Sequence, residues 1–167
     1  MLRTAEAVIC SVANGAGSPR IEILEANPHI PSRESPLYAE SNIARRSAHY
    51  CIACLSDEDY LPVVDFRAPN EKGRYDSTAG MIIASGLLEL SEYVTEYERN
   101  LYSNSAFKIL KACDEKFNNW NPDEDSIVSG GSLRYHDDKM AGASIIYGDY
   151  FLTECILRLE GKFSRIW

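Results

Sequence analysis

The sequence predicts an all-α protein built from stacked helical hairpins. From Ala39 onward, apolar residues recur at three- and four-residue spacing, the period of an amphipathic helix. The run Met81–Leu88 is apolar nearly all the way round, the pattern of a helix covered on most sides. Turn-rich loops join the periodic segments, so helices of differing burial follow one another as they do in layered helical hairpins.

The first 38 residues stand apart from this pattern. Pro19, Pro28, Pro31 and Pro36 fall within 18 residues, and 14–18 reads Asn-Gly-Ala-Gly-Ser, so no long helix can run from 14 to 36. Residues 1–38 are therefore expected to be irregular, with a short helix over 2–12 and a short strand over Ile21–Leu24. A first long helix is expected over 39–55, with Ile43, Ser47, Tyr50, Cys51, Cys54 and Leu55 on one face and Arg45, Arg46 and His49 turned elsewhere. After a short extended piece at 62–66, Asp76-Ser77-Thr78 supplies side-chain oxygens that can cap free amides, and a second helix follows over 77–95.

The third helix, expected over 100–118, carries the cleanest stripe: Tyr102, Ala106, Ile109, Leu110, Cys113 and Phe117 inside, Lys108, Lys111 and Glu115 outside. Asn118–Asp125 is turn-rich, short extended pieces are expected at most within 126–135, and Gly130-Gly131 opens a polar loop that runs to Gly142. The last helix, over 148–160, begins near Gly148-Asp149 and carries Phe151, Leu152, Cys155, Ile156 and Leu159.

Composition narrows the class. The 167 residues are 45% apolar and 25% charged, an ordinary globular balance in which a chain of this length buries a real core. With 25 acidic against 17 basic residues the formal charge is -8, so no global positive field exists to hold a phosphate backbone or an anionic membrane, and no nucleic acid and no membrane are expected as partners. Apolar runs stop far short of the ~20 residues of a membrane-spanning helix. Glu6 interrupts the apolar character of the first ten residues, so no secretory leader is expected. Five cysteines, three of them on apolar helix faces, suggest reduced, buried thiols and a cytoplasmic setting.

Two long segments carry a family resemblance. Val64-Asp65-Phe66-Arg67-Ala68-Pro69 followed by Asp76-Ser77-Thr78-Ala79-Gly80-Met81-Ile82-Ile83-Ala84-Ser85-Gly86-Leu87-Leu88-Glu89-Leu90 is similar to W-D-F-x-A-P and D-S-S-A-A-A-I-A-A-S-G-L-L-E-L. Ser144-Ile145-Ile146-Tyr147-Gly148-Asp149-Tyr150-Phe151-Leu152-Thr153-Glu154-Cys155-Ile156-Leu157-Arg158-Leu159 is similar to S-L-I-Y-G-D-Y-Y-F-L-E-A-L-L-R-L. Both patterns belong to the unsaturated glucuronyl hydrolases, glycoside hydrolase family 88, which the chain resembles from about residue 43 to its end.

The resemblance implies an (α/α)6 barrel of the six-hairpin glycosidase type, here a partial one, with 39–167 as its C-terminal part and 1–38 outside the match. It also implies a substrate: an unsaturated uronic-acid oligosaccharide left by a polysaccharide lyase. The expected reaction is hydration of the C4–C5 double bond by an aspartate acting as acid and base, followed by collapse of the hemiketal, and it differs from the two-carboxylate displacement of most glycosidases. Departures are also visible. Val64 stands where many members have tryptophan, and nothing in 1–42 matches the segments that hold the family's two essential aspartates. The four or five helices fall short of the twelve of a full barrel, roughly 200 residues. The chain is accordingly expected to be a truncated, inactive portion of such a hydrolase, with a helical carbohydrate-binding remnant or a non-catalytic interaction scaffold as the alternatives.

Each candidate residue has a plainer competing role. Asp76 and Asp149 begin expected helices, where carboxylates cap amides and meet the positive end of the dipole, and Asp65 suits a loop anchor, so no catalytic residue is assigned. Cys51-Ile52-Ala53-Cys54 lies inside a helix on its apolar face and suits core packing better than redox chemistry. His29, His49 and His136 show no ligand spacing, so no metal and no cofactor are expected. The loop Gly130–Lys139 offers donors, cations and an aromatic ring behind a glycine hinge, the means to bind an acidic sugar. By resemblance Tyr135, His136 and Lys139 are the substrate-binding candidates, while Asp137 and Asp138 would oppose an anion. Apolar faces left exposed in a partial barrel predict self-association.

Overall fold

The computed structural model describes residues 36–56, 59–69, 73–136 and 138–164. The expectations for a helix over 2–12, a strand over Ile21–Leu24 and the fate of Cys10 lie outside them. Among the described residues the chain forms α1 (Pro36–Ser56), α2 (Ser77–Glu92), α3 (Glu96–Phe117) and α4 (Ile146–Leu159), with a small antiparallel ribbon of β1 (Gly131–Ser132) and β2 (Ala141–Ala143). A single 3-10 turn, Asp138–Met140, precedes β2. The all-α class stands, and the extended pieces reduce to that ribbon and two isolated bridges, Val63 with Tyr75 and Asn118 with Val128. α1 begins at Pro36, inside the stretch expected to be irregular; proline is tolerated in a first helical turn because its missing N–H has no acceptor there.

α2 is the central element, packed along α3 and α4 and more lightly against α1. Thirteen of its sixteen residues are buried, as the all-round apolar run requires. Its close approach to α3 depends on Gly80: a Cβ there would lie 2.9 Å from both Cys113 Sγ and Pro62 Cγ. The α2–α3 turn is tight, with Tyr93 N–H donating to Leu90 O at 3.0 Å and Val94 fully buried. Glu96 and Glu98 in the first turn of α3 and Lys116 in its last complement the helix dipole. Inward, α3 presents Tyr102, Ala106, Ile109 and Cys113, the expected stripe, with Leu110 and Phe117 partly buried beside them.

Two expected faces are corrected. On α1 the buried face is Ser41, Ala44, Ser47, Ala48, Cys51 and Leu55, whereas Ile43 is 45% exposed. Small side chains, which carry little weight in a hydrophobic pattern, let this helix approach the core. On α4, Leu152 and Cys155 are buried as expected, but Ile156 and Leu159 are exposed, and the charged residues Glu154 and Arg158 turn inward. Arg158 donates to Glu154 Oε1 from Nε and from a terminal nitrogen, each at 3.0 Å, and to Glu89 Oε2 of α2 at 3.2 Å. Ser85 Oγ donates to the same Glu154 oxygen at 2.7 Å. Buried charge is tolerated here because each group is paired and hydrogen-bonded.

Candidate functional site

The predicted sugar loop lies across the N-terminal end of α2, held by a seam between 74–78 and 129–138. Ser77 Oγ donates to Ser129 O at 2.5 Å and Ser77 N–H to Gly130 O at 3.2 Å. One position back, Asp76 Oδ1 accepts from Ser132 N–H at 3.2 Å, and Ser132 Oγ donates to Tyr75 O at 3.0 Å. Farther out, an Arg74 terminal nitrogen donates to Tyr135 O at 2.7 Å and another pairs with Asp138. Gly131 is needed in this seam, since a Cβ would lie 2.6 Å from Thr78 Oγ1 and 3.0 Å from Ala143 O.

This seam places the three candidates together on one loop. Tyr135 is half-buried, and its hydroxyl donates to Pro69 O at 2.7 Å, so the loop is also tied to the 59–69 segment. His136 is exposed, its ring set edge-on to Tyr135 with centroids 4.8 Å apart. Lys139 is exposed on the 3-10 turn that follows. Asp138, expected to oppose an anion, has its carboxylate paired with Arg74, which offsets part of that repulsion. Asp137 lies outside the described residues. Arg74 is the residue that sequence reasoning missed: it sits in a loop with no periodicity, and its partners are 61 and 64 positions away.

The carboxylates behave as anchors. Asp76 caps α2, with Oδ1 accepting from Ala79 N–H at 3.3 Å as well as from Ser132. Burial pushes its carboxyl above the usual range, while the amides of Ser132, Ala79 and Thr78 pull the other way. A raised carboxyl suits an acid, but this one is spent inside the seam. Asp149 corrects its expected role as a helix cap: α4 begins three residues earlier, and Asp149 Oδ1 instead reaches the preceding loop, accepting from Val128 N–H at 2.7 Å and Ile127 N–H at 3.1 Å. Asp65 is a loop anchor, its Oδ1 accepting from Arg67 N–H at 2.8 Å.

Three cysteines and His49 point to packing. Cys51 is buried on the core side of α1, where burial raises its thiol to about 11, far from the reactive range. Burial likewise raises Cys113 and Cys155 to about 12. His49 Nε2 lies 3.0 Å from the buried Tyr102 hydroxyl, an α1–α3 contact. A hollow lined by Ser91, Glu92, Tyr93 and Arg99 opens at the opposite end of α2 and contains none of the candidates.

No family model matches the sequence. A curated relative, unsaturated glucuronyl hydrolase from Bacillus sp. (strain GL1), is 30% identical over 128 residues, which are 74% of this chain and 34% of that protein. A crystal structure of the Bacillus sp. GL1 enzyme, described as responsible for the degradation of glycosaminoglycan, superposes with a TM-score of 0.62 at 30% identity over 72% of this chain and 33% of that one. A variant from Streptococcus agalactiae, complexed with dGlcA-GalNAc6S, shares the fold with a TM-score of 0.69 at 20% identity over 78% of this chain and 35% of that one. The chain thus spans about a third of the length of the proteins it matches.

Proposed function

The chain is a relative of the unsaturated glucuronyl hydrolases, a class of glycoside hydrolases, over about three quarters of its length, and from that premise we propose that it forms the C-terminal, sugar-contacting part of such a fold. Its substrate is an unsaturated uronic-acid oligosaccharide released by a lyase. The overall reaction removes the terminal uronic acid after hydration of its C4–C5 double bond.

The observation that carries this reading is the fixed loop at the N-terminal end of α2. Tyr135, His136 and Lys139 there combine an aromatic ring, an imidazole and a cation on a backbone tied to two other segments. Such a set suits an acidic sugar: the cation meets the carboxylate, and ring and imidazole meet the hydroxyl face. Acid/base chemistry is not assigned to this chain, because Asp65, Asp76 and Asp149 all hold backbone amides. Supporting the substrate class, a solved structure 29% identical to this chain carries dGlcA-Glc-Rha-Glc.

The test is calorimetric titration of the full chain with dGlcA-GalNAc6S. Saturable binding that weakens about tenfold or more in Lys139→Ala, the loss of one charge-assisted hydrogen bond, supports the reading. Binding that ignores Lys139, Tyr135 and His136 contradicts it.

A further inference from the structure

Arg74 occupies an unusual position for a cation. Its side chain is 13% exposed, and the backbone just after it is fixed to the 62–63 segment: Tyr75 bridges to Val63, and Asp76 N–H donates to Pro62 O at 2.7 Å. From this base the guanidinium spans two acceptors three positions apart in the sequence, the carbonyl of Tyr135 and the carboxylate of Asp138. His136 lies between them. A planar fork can hold two such acceptors at once, whereas an ammonium acts as a point donor.

We propose that Arg74 is a positioning residue, the clamp that sets the 135–139 loop so that Tyr135, His136 and Lys139 face one ligand. This rests on the reading of that loop as the sugar site. The clamp works at both ends. At Tyr135 it fixes the backbone, while the phenol is fixed separately on Pro69 O, and the settled ring then orients His136 at 4.8 Å. At Asp138 it fixes the start of the 3-10 turn that carries Lys139, and it pairs with a carboxylate that would otherwise repel an acidic ligand. Arg74 itself touches no substrate in this account.

The test uses the full chain, with Arg74→Ala and Arg74→Lys, and two readouts: affinity for dGlcA-GalNAc6S by calorimetry, and the ring-proton signals of His136 by NMR. Because the Tyr135 ring lies against His136, the His136 signals report loop geometry, which a general loss of stability below the melting point does not change. Arg74→Ala is expected to weaken binding at least tenfold and to shift the His136 signals toward those of a free imidazole, and Tyr135→Leu is expected to give the same shift. Arg74→Lys keeps the charge and is expected to recover only part of both.

If the unaltered chain binds no disaccharide, the sugar-site reading falls and takes this inference with it. If the unaltered chain binds and both variants bind equally well with His136 unmoved, only the role of Arg74 is overturned. Should Arg74→Ala not fold, Arg74→Lys decides alone: weakening of threefold or more supports the clamp, and unchanged binding and signals overturn it.

Discussion

Ser85 Oγ and Glu154 Oε1 meet at 2.7 Å across the α2–α4 interface, and that one oxygen also receives two donors from Arg158. Glu89, 10% exposed, shares the same guanidinium at 3.2 Å, so two carboxylates are held in the interior by one cation. Replacing Arg158 by Leu removes the cation that pairs with both carboxylates. Such a loss costs about 3–5 kcal/mol, and a urea titration of Arg158→Leu should show a midpoint lowered accordingly, with an unchanged slope. A change below about 1 kcal/mol would mean that water reaches the carboxylates.

Asp76 gives a pH signature of unusual sign. Its folded carboxyl is raised above the ordinary 3.8, so between that value and the folded one the native state binds more protons than the unfolded state. Its contribution to stability therefore falls as pH rises through that window and is flat above it. Asp76→Asn keeps an oxygen for the Ala79 and Ser132 amides without the buried charge. It should fold with nearly unaltered stability at pH 7 and lose this component of the acid dependence. Asp76→Ala removes the cap and should cost about 1–2 kcal/mol. Melting curves of both variants at several pH values check the two statements together.

The thiols make a separate statement. Raised to about 11 in Cys51 and about 12 in Cys113 and Cys155, against an ordinary 9.0, they stay protonated in the fold while unfolded thiols ionise. Their contribution is thus fully present below pH 9 and is lost as pH rises above it. Alkylation at pH 8 followed by peptide mapping should leave these three unmodified until the chain unfolds. Fast labelling of Cys113 in the folded chain would show that the α2–α3 interface opens locally.

α4 leaves large apolar residues exposed at both ends, Ile146 at 74% and Tyr147 at 61% in its first turn and Ile156 and Leu159 near its last. We expect the chain to self-associate through these exposed side chains, whose burial would remove apolar surface from water. Sedimentation equilibrium should give a mass above the monomer that falls in the double variant Ile146→Glu, Ile156→Glu. A monomer at all concentrations would contradict this.

Strong periodicity made α2 and α3 legible: an all-round apolar run can only be a covered helix, and the stripe from Tyr102 to Cys113 has a single inward face. α1 was harder because Ala44, Ser47 and Ala48 bury by smallness, and Ile43, the strongest apolar signal nearby, points out. The inward turn of Glu154 and Arg158 was illegible, since burying charge depends on partners 69 positions away on α2. Tyr135, His136 and Lys139 were legible as a chemically rich loop behind Gly130-Gly131, but the anchoring of that loop by Arg74, Asp76 and Ser77 is long-range and leaves no local pattern.

The central claim, that this chain holds the sugar but does not move the proton, meets its most direct test in one assay. The full chain is titrated with the unsaturated disaccharide while the absorbance of its conjugated double bond is followed. Saturable binding is expected, weakened about tenfold or more in Lys139→Ala, with no loss of absorbance at any chain concentration. Turnover by the chain that stops in Asp65→Asn, Asp76→Asn or Asp149→Asn would contradict it and would place the acid/base among residues assigned here to structure.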